Sequence, residues 1–504
     1  MIDFFGDLLL GLSVATTPTN LVACFVGALL GTLIGVLPGL GPTATIAMLL
    51  PLTIGLPVES SIIMLAGIYY GASYGGSTTA ILVNLPGEAS SVVTALDGYQ
   101  MAKQGHAGAA LAIVAVGSFV AGSVGTLIVA AMSPALTKVA LSFGPAEYFS
   151  MMVLGLLMSV ILAHGSVLKS VAMIFIGLAL GLVGTDINTG VTRFNFGIKD
   201  LMDGIGFVTV AMGLFGVAEI IRNLEERQRG GDIEVAKVSS LIPDKQQVKA
   251  SVGPICRGSA LGSFLGILPG AGPTLASFAS YALEKKVSKR PEQFGHGAIA
   301  GVAGPESANN SAAQTSFIPL LTLGIPTNSV MALLIGALIV QGIQPGPLVI
   351  KQQPDLFWGL IASMWVGNLM LLVINLPLIG IWIRLLKVPH HYLYPVILLL
   401  CAVGAYSLNN NSADVLLMVL FGLLGFFLIR AGFEPAPLIL GFVLGPMMEE
   451  NLRRAMTMSF GDPTVFFTRP ISLGILLFTF VSVLLMTLPS LRKKRQEAFV
   501  EEQS

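Results

Sequence analysis

Charge is scarce in this sequence. Only 11% of its 504 residues are Asp, Glu, Lys or Arg, against roughly 25% in soluble domains, which excludes a water-covered globule of this size. The 27 basic and 27 acidic residues cancel, leaving no strongly basic face for nucleic acid. Cysteine is nearly missing too. Cys24, Cys256 and Cys401 stand singly, in a spacing that suits neither a disulfide framework nor a metal site. The five histidines form no metal-ligand spacing, no H-E-x-x-H occurs, and no G-x-x-x-x-G-K-[ST] loop is present for nucleotide hydrolysis. The opening "MIDFFGDLLL" lacks a basic n-region, so a cleaved signal peptide is not expected.

Apolar sequence fills the space that charge leaves. Hydrophobic residues make up 54% of the chain and the mean hydropathy is +0.83. Runs such as Leu111–Ala131, Leu356–Leu386 and Leu393–Leu408 are candidate bilayer spans. The expected fold is an all-α, polytopic membrane protein of roughly 12 transmembrane segments. Long unbroken runs exclude a β-barrel, whose strands alternate. Lys and Arg do not occur before Lys103 and cluster at Arg222–Arg257, at Lys285–Arg290 and at Arg492–Arg495, stretches that the positive-inside rule assigns to the cytoplasm.

Repetition organises the chain. "GALLGTLIGVLPGLGPT" (Gly27–Thr43) aligns with "GSALGSFLGILPGAGPT" (Gly258–Thr274) at ten of seventeen positions. Weaker echoes pair Pro86 with Pro326 and Pro145 with Pro389. The reading is a first membrane repeat at 1–227, a polar cytoplasmic linker at 228–250, a second repeat at 251–490 and a basic cytoplasmic tail at 491–504. Internal duplication in a helical membrane protein points to a transporter with its site at the repeat interface. Basic flanks on both sides of the second copy make it a re-entrant hairpin; the first copy has none, so the two repeats are expected to be inverted.

Each copy carries glycines at four-residue spacing: Gly27, Gly31 and Gly35, then Gly258, Gly262 and Gly266. These read as helix-packing grooves. The Pro-Gly break that follows is either a packing kink or a site. Broken backbone at membrane depth is tolerated where it is buried in protein or lines a wet cavity, and a helix starting there presents N–H groups that attract anions. The second copy favours the site reading. The expected substrate contacts are Gly39, Gly41 and Thr43 in the first break and Gly270, Gly272 and Thr274 in the second, with both threonines as helix caps. Polar patches downstream add Ser73, Ser77, Thr78 and Asn84, then Asn309, Asn310, Thr327 and Asn328; "GIPTNS" reads as a further helix start. Glu306, Ser307, Asn310 and Thr315 are candidates for cation coupling. A carboxylate in the membrane interior is usually functional, but Glu306 in a short aqueous loop is the open alternative. Arg193 reads as an interfacial anchor rather than a carboxylate clamp, and Glu449–Arg454 as a solvated, internally paired end. "GASYG" matches a hydrolase elbow that requires a strand-to-helix turn, which this context does not supply, so no enzyme activity is expected.

These motifs together, with "YYGASYGGSTTAILVNLPGE", "DGYQMAKQGHAGAAL", "GVAGPESANNSAAQTSFIPLLTLGIP" and "RPISLGILL", resemble the large membrane permease of the tripartite tricarboxylate transporters, through nearly the whole chain. The resemblance implies a bacterial inner-membrane secondary transporter for a di- or tricarboxylate such as citrate. It implies coupling to Na⁺ or H⁺ with no other cofactor. It also implies two partners, a small integral-membrane subunit and a periplasmic solute-binding protein. An anion-selective channel using the same helix N-termini is the alternative.

Overall fold

A computed structural model of the chain describes residues 4–37, 39–162, 166–186, 188–227, 236, 238, 241–268, 272–386 and 390–487. The polypeptide begins with α1 (Phe4–Ala15), α2 (Pro18–Gly35), α3 (Pro42–Leu49), α4 (Val58–Val83), α5 (Val92–Met101), α6 (Ala107–Ala140), α7 (Pro145–Leu162) and α8 (Val167–Gly181). A short antiparallel pair, β1 (Gly184–Thr185) and β2 (Thr192–Arg193), follows. Then α9 (Phe207–Ala211) runs through a π-turn at Met212–Val217 into α10 (Ala218–Arg227). The later part comprises α11 (Lys245–Ile267), α12 (Gly272–Val287), α13 (Ala300–Thr315), α14 (Phe317–Leu323), α15 (Ser329–Val340), α16 (Val349–Gln352) and α17 (Pro354–Asn375). It closes with α18 (Ile379–Leu385), α19 (His390–Asn409), α20 (Ser412–Arg430), α21 (Pro435–Met458), α22 (Val465–Thr468) and α23 (Pro470–Thr487). The chain is a polytopic all-α membrane protein. Among the described residues, five helical stretches are long and apolar enough to cross a bilayer, and seven further apolar helices are shorter.

Close packing explains the glycine ladders. A Cβ on Gly27, Gly31 or Gly35 of α2 would strike the carbonyls of Met64, Ile68 and Ala72 on α4. A Cβ on Gly258, Gly262 or Gly266 of α11 would strike those of Gly304, Ala308 and Ala312 on α13. So α2 lies on α4 as α11 lies on α13, backbone against backbone, which only small residues allow. The matching continues downstream: Asn84 ends α4 and Gly324 ends α14, both left-handed at φ 56° and 69°, each two residues before Pro86 or Pro326.

Capping sets the start of α11. The Asp244 carboxylate accepts from the Gln247 amide at 2.7 Å, and the Gln247 side chain accepts from the Asp244 amide at 3.0 Å, a reciprocal capping box. The helix therefore begins inside the stretch read as linker; most of residues 228–240 and the tail from 488 lie outside the described residues.

A buried carboxylate joins the two halves of the chain. Asp97 of α5 accepts the amides of Gly295, Gly297 and Ala298 at 2.8–2.9 Å through Oδ1, and the Tyr281 hydroxyl at 3.0 Å through Oδ2. Removing it strands three backbone donors, each costing about 1–3 kcal/mol. Asp97→Leu is expected to lower the thermal midpoint of the detergent-purified protein far more than Asp97→Asn, which keeps an acceptor. A midpoint for Asp97→Leu equal to that of the wild type would show that the staple contributes nothing.

Candidate functional site

Both breaks lead into a helix that starts at a glycine or the residue after it. After α2, Gly39 turns the chain at φ +83° and Gly41 is extended. Pro42 then opens α3 at its first position, where the missing amide is not needed. That order corrects the role given to Thr43. Gly41 takes the cap position, so Thr43 falls in the first turn and its hydroxyl shares a 3.0 Å hydrogen bond with Ser329. In the second break Gly270 lies outside the described residues; α12 starts at Gly272, φ +52°, with Thr274 again inside the first turn rather than capping it. At the far end of this hairpin, Arg257 clamps Glu284 through Nε at 2.8 Å and Nη2 at 2.5 Å, so the two arms return to one end. Asn328 caps α15, as expected of "GIPTNS", its Oδ1 accepting from the Met331 amide at 3.0 Å.

These pieces face one cavity of about 700 Å³. Its wall includes Gly39 and Gly41 to Ala44, Pro86 to Ser90 with Val92, Pro273 and Thr274, Asn328 to Val330, and Glu434 with Pro435. The starts of α3, α5, α12, α15 and α21 thus point their first turns at a common space. Each start carries amides without intrahelical partners and about half a positive charge, a setting that attracts anions. Arg222 is the basic side chain of the described lining, held by Glu219; Tyr69, Leu214 and Phe215 supply apolar wall.

Behind this wall sits Glu306. It lies inside α13 and is 1% exposed, so the aqueous-loop reading is overturned. Its Oε1 accepts from the Ser77 hydroxyl at 2.6 Å and Asn310 Nδ2 at 3.1 Å, and its Oε2 from Thr94 at 3.0 Å. Asn310 also donates to Ser118 at 2.8 Å. Toward the cavity, Asn309 Nδ2 donates to Glu88 Oε1 at 3.0 Å.

The sequence reading missed Glu88, Arg222 and Tyr69. Glu88 had a signal: pairing Pro86 with Pro326 sets it opposite Asn328, and both line the cavity. Other expected contacts fall elsewhere. Asn84 is an exposed left-handed helix end. The hydroxyls of Thr78 and Thr315 bond back to Tyr74 O at 3.3 Å and Ser311 O at 3.1 Å. Thr327 and Ser307 are buried without a hydrogen-bond partner for their hydroxyls and do not line the cavity. Ser73 sits mid-helix in α4, so "GASYG" makes no nucleophile elbow. Arg193 is engaged by carboxylates of its own chain: Nη1 meets Glu449 at 2.9 and 3.1 Å, while Arg453 bonds Glu449 at 2.6 Å and Asp186 at 2.9 Å. The Thr189 hydroxyl, the Asn188 amide and Arg453 hold the Asp186 carboxyl below the usual range.

Helices from both halves of the chain, broken at small residues, close on one cavity within a multi-pass membrane protein. The chain belongs to the tripartite tricarboxylate transporter TctA family, whose model matches residues 21–440. It is 60% identical over 502 residues, 100% of both chains, to an uncharacterized 52.8 kDa protein in the TAR-I ttuC' 3'region of Agrobacterium vitis. It is 62% identical over 241 residues, 48% of this chain and 100% of the other, to an uncharacterized protein in the TAR-II ttuC' 3'region of the same organism. No solved structure matches.

Proposed function

We propose that this chain is the permease of a carboxylate:cation symporter, binding a di- or tricarboxylate in the cavity between its two breaks. The observation that carries the reading is the convergence of helix starts from both repeats, α3 with α12 and α15, beside Arg222. A polycarboxylate is matched by several amide clusters and one guanidinium better than by any single cation. The repeats are inverted in this reading, the linker and tail face the cytoplasm of a bacterial inner membrane, and a periplasmic binding protein delivers substrate with the help of a small membrane subunit.

Coupling follows from charge. Moving a trianion inward against ~100 mV costs about 2.3 kcal/mol per charge, about 7 kcal/mol in all, so uptake against that potential requires co-transported cations. Glu306, with Asn310 on its own helix and Ser77 and Thr94 facing it, is the inner coupling element.

The test is uptake of radiolabelled carboxylates into proteoliposomes holding the chain and its two partner subunits. Concentrative uptake driven by a Na⁺ or proton gradient is expected. Conductance of the anion without coupling would replace the symporter by an anion channel.

A further inference from the structure

Two carboxylates are supported by the same three elements in parallel. Glu306 takes one group from each: Ser77 of α4, Thr94 of α5 and Asn310 of α13. Glu88, one step nearer the cavity, is faced by Ser73 of α4, Ser90 just before α5 and Asn309 of α13. Ser73 stands one helical turn before Ser77, and Ser90 one turn before Thr94. The two sets differ in one respect. Every donor around Glu306 is spent on its oxygens, whereas the Ser73 and Ser90 hydroxyls face the Glu88 carboxylate without a hydrogen bond of good geometry, and the buried Oδ1 of Asn309 has no partner. Ser73 and Ser90 are each 2% exposed and Asn309 is 1% exposed. Buried polar atoms are nearly always satisfied, so three orphans around one carboxylate point to a missing partner that all four can share. Oxygens accept in common from a hard cation. One carboxylate with three neutral oxygens offers a single negative charge, which suits a monovalent ion. Neither Glu88 nor Glu306 has an ion-pair partner among the described residues.

We propose that Glu88, Ser73, Ser90 and Asn309 form a Na⁺ site in the wall of the substrate cavity. This deepens, and rests on, the symport reading. Glu88 lines the same cavity as the converging helix starts, so its bare charge repels an entering carboxylate and bound Na⁺ removes that repulsion. Cation and anion then raise each other's affinity by the same factor, as linkage requires.

Binding of radiolabelled sodium to the purified full-length chain in nanodiscs, without substrate or partners, tests the site. Saturable binding, competed by unlabelled Na⁺ and not by K⁺, is expected of the wild type. Glu88→Gln should weaken it by roughly tenfold or more, since affinity in oxygen-ligand sites follows ligand charge. The double variant Ser73→Ala/Ser90→Ala, which removes no charge, should also weaken it, and Glu450→Gln, a carboxylate lost outside this cavity where it pairs with Arg454, should not. A monodisperse size-exclusion profile is the folding control, and the serine variant decides if Glu88→Gln fails it. Wild-type binding in both site variants overturns the proposal, as does a wild type that binds no Na⁺. The result is separable from the transport reading: Na⁺ binding with uncoupled anion conductance keeps the site and removes symport, while coupled uptake with unchanged binding in the variants does the reverse.

Discussion

Gly39→Val should reduce carboxylate uptake by about 10- to 100-fold while leaving the protein's level in the membrane unchanged. Gly39 holds φ +83°, a conformation that costs a non-glycine residue about 1–3 kcal/mol, or up to about 100-fold at tenfold per 1.4 kcal/mol. A Cβ there would also sit 2.5 Å from Asn223 Oδ1, the side chain whose Nδ2 donates to Gly39 O at 3.4 Å. Gly272→Val, at φ +52°, should behave the same way with no steric clash, its nearest neighbour being Asn328 Cβ at 3.6 Å. Insertion depends on the apolar helices, which neither change touches. Gly41→Ala is the contrast. Gly41 has φ −74° and ψ 175°, open to any residue, and an added Cβ meets the Gly87 carbonyl at 3.3 Å and Glu88 Cβ and Cα at 3.7 and 3.9 Å, contacts that a small shift relieves, so uptake should stay near wild type. Equal loss in Gly41→Ala and Gly39→Val would sink the conformational account. Wild-type uptake in Gly39→Val and Gly272→Val would reduce the breaks to packing devices.

That distinction between neighbouring glycines was not legible in the sequence, although the break itself was. Hydropathy and the duplicated "LPGxGPT" register in the residue order, because membrane helices and close helix packing depend on local composition and spacing. Which hydroxyl faces the cavity depends on helix rotation. Thr78 and Thr315 looked like Ser77 and were spent on the carbonyls of their own helices, an option open to any helical Ser or Thr. Asn84 belonged to a polar patch by composition, yet its left-handed backbone makes it a helix end, the other common use of Asn. Glu88 went unnoticed for a different reason. Its partners come from α4 and α13, more than two hundred residues apart, and only the Pro86–Pro326 correspondence links it to the second half. Asp97 is a similar case: three amides of a distant loop converge on it, and nothing adjacent in sequence marks it.

Glu306→Gln should fold and reach the membrane but transport about 100-fold more slowly at saturating substrate. The carboxylate accepts three donated hydrogen bonds, from Ser77, Asn310 and Thr94, and bonds to a charged group are worth about 1.5–3 kcal/mol each. Gln keeps an acceptor for Ser77 and Asn310 at one terminal atom. At the other, its amide can donate to Thr94, whose hydroxyl also accepts, so the packing is retained and the charge alone is lost. Losing the charge-assisted part of all three bonds, about 1 kcal/mol each and near 3 kcal/mol in all, corresponds to about 100-fold at tenfold per 1.4 kcal/mol. Glu306→Leu removes the acceptors as well and leaves three buried donors unmet at about 1–3 kcal/mol each, so it should fail to give a monodisperse protein. The pair of variants separates charge from packing. Uptake by Glu306→Gln indistinguishable from wild type, at any imposed Na⁺ or proton gradient, would remove Glu306 from coupling and leave it a structural staple between α4, α5 and α13. Uptake that becomes independent of the gradient while the rate of substrate exchange persists would instead place Glu306 on the cation's path, because exchange needs only the anion site at the helix starts and net symport needs the charge behind them.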